Sequence, residues 1–342
     1  MEENLSLLLT GSTLLYLGVI VYVANQADQA DDRRPTLNAL LYSLVALLLL
    51  FGVNILLASA DTGGVTTTDG VVLPRVDPTA SLGFFALTLV VAFVCTRLIA
   101  SASARGAVTR LVGGGAYDPE SRVHLTAVIL LWLLIVYTLG NFILSGGIDG
   151  LADSYAQGIA PGELVFQQTL WVLFALLGVG ALIRRGGAAT LERLGLRNFS
   201  LRDIGIGALV GVGLYAVIIA MGALWALFVT PEQLAEQTAA SQQLAQSFDT
   251  LPMILLLAVS VAIGEEVLFR GALQPIFGIG LTSAFFALLH TQYTLTPASF
   301  GIFFVSLGIG WLRFRSNTMA AMSAHFVYNF IQLFLALLIG GG

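Results

Sequence analysis

The sequence predicts an all-α, polytopic integral membrane protein of about ten spanning helices, and three observations lead there. Of its 342 residues, 57% are hydrophobic and 10% charged, with a mean hydropathy of +0.89, whereas a soluble domain carries roughly 25% charged residues. Ten segments approach the ~20 apolar residues that a spanning helix needs. All 15 basic residues are arginine, and all but one fall on alternate connections between those segments. The net charge of −5 says little about partners, because the position of charge across a bilayer matters more than its sum. The bilayer itself is the partner implied; no nucleic acid is.

The first segment, residues 5–24, follows the acidic start MEENL. A secretory leader has a basic flank and a shorter apolar core, so this segment is expected to remain as a spanning helix. The second and third are 37–58 and 80–100. The third carries Cys95, the one cysteine, which has no internal partner and is expected as a small buried hydrophobe. The fourth, 123–144, begins beside Arg122 with His124, expected at the interface. The fifth is 164–183; the basic stretch 184–203 after it can lie along an anionic leaflet. In the sixth, 204–229, "GIGALVGVG" lacks the preceding strand of a dinucleotide-binding turn; Gly207 and Gly211 instead predict close helix packing. Residues 230–250 are expected to be a solvated connector, with a short surface helix as the alternative. The last four segments are 251–270, 281–296, 299–313 and 319–339. No repeat at periods of 20–50 residues is seen.

With the N-terminus outside, the cytoplasmic connections hold Arg33, Arg34, Arg97, Arg105, Arg110, Arg122, Arg184, Arg185, Arg193, Arg197, Arg202, Arg270, Arg313 and Arg315, leaving Arg75 alone opposite. That is the bias of the positive-inside rule, and it puts both termini outside. One missed span would scramble it.

Charged groups at membrane depth cost ~2.5–3.5 kcal/mol each on insertion scales, yet "IGEEVLFRGAL" at 263–273 spends three. Glu266 and Arg270, four apart, share a helical face and can pair, which assigns them to structural support. Glu265 is turned about 100° away and has no local cation. A desolvated carboxylate titrates toward the range useful for proton transfer, so Glu265 is assigned to chemistry. In "FFALLH", Phe286 sets a ring beside His290. In "AHFVYN", His325 and Asn329 project from one face and can hold a carbonyl oxygen or an oxyanion. Glu265 and His325 lie about five and six residues from cytoplasmic helix ends, roughly 8–9 Å deep at ~1.5 Å per residue; His290 is expected deeper. A base, an orienting partner and oxyanion donors at similar depth suffice for hydrolysis by an activated water. A proton or ion path is the rival reading, but it predicts pseudo-symmetric halves, and helices one to four carry no counterpart of this cluster. A catalytically silent binding or immunity-type protein is the second rival; intact motifs argue against it.

Glu-Glu-x-x-x-Arg at 265–270, Phe-x-x-x-His at 286–290 and His-x-x-x-Asn at 325–329, in that order, resemble the CAAX protease and bacteriocin-processing (CPBP, or Abi) family, whose best-known members are type II CAAX prenyl endopeptidases. "FRGALQP" resembles the family's continuation. The resemblance covers roughly 162–342 and divides the chain into an N-terminal set of helices, 1–161, with no functional reading, and a protease-like core, 162–342. It implies an intramembrane endopeptidase acting on a membrane-associated protein or peptide, prenylated CAAX-type substrates among them, in a conical cavity open to the cytosol. By motif position, Glu265 with His290 would activate water, His325 and Asn329 would hold the oxyanion, and Glu266, Arg270 and Phe286 would support them. A metal-free site is favoured: the helical His-Glu-x-x-His of zincins is missing. Zinc held by Glu265, His290 and His325 is the alternative.

Overall fold

The computed structural model describes residues 2–60, 76–293 and 296–340. Among them there is no strand, only an isolated bridge between Ala181 and Arg185. The helices are α1 (Glu2–Ala27), α2 (Arg34–Ala60), α3 (Pro78–Ala100), α4 (Ala102–Leu111), α5 (Arg122–Leu144), α6 (Gly147–Ala156), α7 (Pro161–Gly178), α8 (Gly187–Arg193), α9 (Leu201–Trp225), α10 (Pro231–Gln246), α11 (Leu251–Glu265), a π-helical segment (Glu266–Leu273), α12 (Gln274–Leu289), α13 (Ala298–Arg315) and α14 (Thr318–Gly340). Six stretches of these are long and apolar enough to cross a membrane: Asp31–Ala60, Pro78–Ala100, Arg122–Leu144, Leu201–Trp225, Leu251–Leu289 and Thr318–Ile339. The chain is thus an all-α bundle with membrane-spanning helices, and each of the ten expected segments falls on a helix.

The boundaries differ where backbone chemistry overrides hydropathy. The seventh and eighth segments form one helical run that breaks at Gly278, whose φ of 72° and ψ of 174° no helix permits. Positive φ is open to glycine at little cost. The break docks on the α4–α5 connection: the Ala116 amide donates to the Pro275 carbonyl at 2.9 Å. The eighth segment ends at Leu289 rather than 296; residues 294–295 lie outside the described residues, as does Arg75. The segment 230–250 is not a bare connector. Thr230 and Gln233 form a reciprocal capping box that starts α10, and Ala and Gln continue it. Cys95 is fully buried, as expected.

Gly207 and Gly211 on α9 meet the carbonyls of Ala320 and Ala324 on α14 so closely that a Cβ at either would collide. Ser323 Oγ adds a bond to the Ile204 carbonyl at 2.8 Å. The expected close packing is therefore between these two helices, each nearly all apolar, where small residues let backbones touch.

The bundle has two chemically distinct ends. At one, Arg184 pairs with Asp28 at 2.7 Å, Arg105 donates from Nε to the Pro119 carbonyl at 2.7 Å, and Arg193 donates to the Gly271 and Ala272 carbonyls at 2.8 and 3.1 Å. Burial, then the neighbouring Arg185, Arg313 and Arg184, pull the Arg193 guanidinium down to about 10. At the other end α6, α10 and the start of α7 carry Asp149, Asp153, Glu163, Glu232 and Glu236. One hydrophobic cluster runs from Ile20 to Met322, so packing is continuous across residue 161.

Candidate active site

The site is built around the π-helical segment. A π turn closes i→i+5 rather than i→i+4 and so shifts the phase of everything beyond it. Every residue from Glu266 to Leu273 is buried. Glu266 and Arg270 are both fully buried, with Arg270 Nε 3.3 Å from Glu266 Oε2. Arg270 Nη2 also donates to Ser306 Oγ at 2.9 Å and approaches the Ser306 carbonyl at 3.3 Å. Its guanidinium lies over the Phe286 ring, 4.8 Å from the centroid, a cation–π contact that stabilises a desolvated charge further. Phe269 meets Phe286 edge-on at 5.1 Å.

Glu266 does more than the sequence reading assigned to it. Its Oε1 lies 2.8 Å from His325 Nδ1. A carboxylate accepts, so Nδ1 carries the proton and donates. Glu266 therefore joins two buried partners: it neutralises Arg270 and fixes the tautomer and orientation of His325. Helix phase alone could reveal only the first, because His325 comes from a helix 59 residues away in sequence.

Glu265 takes the other direction. It lines a cavity of about 600 Å³ together with His290, His325, Asn329 and Phe286, while Glu266 and Arg270 do not reach it. Glu265 Oε2 is buried without a hydrogen-bond partner and stands 4.0 Å from His325 Nε2. That gap is too long for a direct hydrogen bond and suits a bridging water. His290 ends α12. Its Nδ1 donates to the Phe286 carbonyl at 2.7 Å, so in the neutral ring Nε2 is left as the acceptor. The ring packs against Phe286 at 4.4 Å.

The convergence follows from chain geometry. The chain kinks at Gly278 so that Phe269 before it meets Phe286 after it, and Glu265 and His290 lie almost equally far from the kink along the two arms. At ~1.5 Å per residue that is roughly 18–20 Å from the turn. The expected five-residue distance of Glu265 from its helix end is thus too short, because the π segment and the first turn of α12 prolong that helix. His325 lies seven residues into α14, whose start is tied to α8 by the bond from Thr318 to the Leu194 carbonyl.

Two contributions were not foreseen. Gln168 of α7 lines the cavity, is 5% exposed, and leaves its Oε1 unpartnered. It packs on Gly264, where a Cβ would collide with it, and so stands one residue from Glu265. The polar pair Gln167–Gln168 inside an otherwise apolar segment was the available signal. Helix α5, from the half of the chain without a functional reading, supplies Leu134, Tyr137 and Thr138 to the wall. His124 lies outside the cavity lining; its Nδ1 accepts from the Asp118 amide at 2.9 Å. Among the described residues no three His, Cys, Asp or Glu side chains are gathered as a metal-holding group; the Nδ1 atoms of His290 and His325 are engaged by the Phe286 carbonyl and Glu266, and their Nε2 atoms are not.

The cavity wall extends from these side chains toward the acidic end of the bundle, to Tyr155 and Ser154 of α6 and Ser241 of α10. Among the described residues no arginine lines it.

Comparison with known proteins bears on the same stretch. Residues 247–331 match the family described as type II CAAX prenyl endopeptidase Rce1-like. An "Uncharacterized protein YpbD" from Bacillus subtilis (strain 168) is 32% identical over 85 residues, 23% of this chain and 43% of that protein. The chain thus spans less than half the length of this curated relative. No solved structure matches. The resemblance read from the three motifs holds over residues 247–331, and that stretch contains Glu265, His290, His325 and Asn329 of the cavity wall.

Proposed function

We propose that the chain is an intramembrane endopeptidase that hydrolyses a peptide bond in a membrane-associated protein or peptide by a glutamate-activated water. The observation that carries this is the meeting of Glu265, His290, His325 and Asn329 in one cavity, inside a stretch that matches a protease family. A water between Glu265 and His290 Nε2 gives up its proton as its oxygen adds to the scissile carbonyl. The carbonyl oxygen becomes an oxyanion held by the Asn329 amide and by His325. For His325 to donate from Nε2 while Nδ1 donates to Glu266, the ring must be an imidazolium, and the Glu266 carboxylate stabilises that cation. Collapse of the tetrahedral intermediate breaks the C–N bond. The proton taken by Glu265 passes to the leaving nitrogen, yielding a carboxylic acid and an amine. Oxyanion donors of this kind are worth ~10²–10³ in rate.

Purified protein offered a panel of prenylated and unmodified peptides tests the reading, with Glu265→Ala as the comparison and each assay run with and without chelator. Cleavage by the wild type that disappears in Glu265→Ala supports it. Cleavage that survives the substitution removes the mechanism. Loss on chelation that zinc restores replaces it with the zinc-dependent version.

A further inference from the structure

Gln168 is a buried amide that no structural contact accounts for. It sits on α7 in the cavity wall and is 5% exposed. Its Oε1 is buried and has no hydrogen-bond partner among the described residues. That oxygen lies against Gly264, where a Cβ would collide with it, so a glycine keeps the seat open. A buried acceptor left unmade costs its desolvation, and each such group calls for an explanation. Methionine, flexible and of similar length, would fill the same seat without that cost.

The position of the seat supplies the explanation. Helix α11 packs against both α7 and α14. Its Gly264 meets Gln168 of α7, and the next residue, Glu265, stands 4.0 Å from His325 of α14. Glu265 thus lies between the Gln168 amide and the His325–Asn329 pair. In the reaction proposed above, α14 holds the scissile carbonyl oxygen. A trans peptide bond is planar, and its N–H points away from its C=O. With the oxygen on α14, the scissile N–H is directed to the α7 side, where Gln168 offers an unpartnered acceptor. The terminal torsion of glutamine is broad and roughly two-fold, so a turn of the amide carries Oε1 from Gly264 to an arriving donor.

Resting on the peptidase reading above, we infer that Gln168 binds substrate, its Oε1 accepting the N–H of the scissile peptide bond. The bond persists while water adds to the carbonyl carbon and the nitrogen, losing amide resonance, regains its lone pair. That lone pair takes the proton from Glu265 as the C–N bond breaks, with the nitrogen held on the α7 side. Gln168 lies outside residues 247–331, so the family match does not include it.

The test pairs a peptide that the wild type cuts, its cleavage site mapped by mass spectrometry, with an ester analogue in which oxygen replaces the scissile N–H. Hydrolysis of the ester needs the same water, base and oxyanion donors but offers Gln168 no donor. Gln168→Met should lower kcat/KM for the amide about tenfold, the scale of one hydrogen bond, and leave that for the ester unchanged. Gln168→Glu keeps an acceptor oxygen and should keep the wild-type ratio of amide to ester rates. Both rates come from the same folded fraction, so the ratio is insensitive to partial misfolding. Gln168→Ala, which leaves the seat open, should show the same fall in ratio if methionine does not fit. Equal losses on amide and ester, an unchanged amide rate in Gln168→Met, or a Gln168→Glu ratio as low as that of Gln168→Met overturns the assignment. A wild type that cuts neither substrate overturns the peptidase reading and the assignment with it, a result distinct from equal losses in an active enzyme.

Discussion

Glu266 has two partners, and replacing it separates stability from chemistry. Consider Glu266→Met, Arg270→Met and the double substitution. Methionine is similar in length, flexible and compatible with a helix. Breaking a buried ion pair from one side costs ~3–5 kcal/mol, because the remaining charge stays desolvated. Arg270 keeps Ser306 Oγ at 2.9 Å and the Phe286 face at 4.8 Å, which places Glu266→Met at the low end, ~3 kcal/mol. Removing both charges relieves the orphan, since apolar replacement of a buried pair is often neutral. The double variant should therefore be ~2 kcal/mol or more stabler than Glu266→Met alone, a coupling expected for residues in contact. Hydrolysis should not recover with it. His325 loses its Nδ1 acceptor in both variants, and the imidazolium it needs loses its counter-charge, so the rate should stay at least about tenfold down, ~1.4 kcal/mol of barrier. Denaturant titration in detergent micelles, followed by tryptophan fluorescence, reads the first quantity, and peptide cleavage at saturating substrate reads the second. Additive destabilisation in the double variant would refute the ion-pair argument. Recovered hydrolysis in the double variant would refute the role given to the Glu266–His325 contact.

Gly264→Ala sets a methyl group against Gln168; overpacking costs ~1–3 kcal/mol, and because Glu265 is the next residue, cleavage should fall more than stability does, read by parallel activity and unfolding measurements. Gly211→Leu pushes α9 off the Ala324 carbonyl and should lower the unfolding midpoint of the purified protein, whereas Gly213→Leu, which has open space, should leave it unchanged. Asn329→Ala should retain the fold and substrate affinity while lowering the maximal rate ~10²–10³-fold; a rise in KM alone would make Asn329 a substrate-binding side chain rather than an oxyanion donor. Exhaustive chelation should leave the rate unaltered, as judged by activity after dialysis against chelator.

The bundle class, the helix positions and the choice of polar residues were legible in the sequence because each rests on local chemistry. Apolar run length fixes a helix in lipid, where every backbone group must be satisfied within the segment. The cost of a buried charge makes Glu265, Glu266 and Arg270 conspicuous, and helical phase separates Glu265 from the ion pair. Tertiary structure alone decided the rest. The His325–Glu266 bond, the seat of Gln168 beside Gly264 and the wall supplied by α5 join residues far apart in the chain, and no periodicity encodes them. The prolonged seventh helix depends on a π segment and a break at Gly278 that hydropathy does not distinguish from continuous helix. The side to which the cavity runs is likewise a property of how α6 and α10 fold over the end of the bundle, because a pocket is defined by the space between elements and not by any one of them.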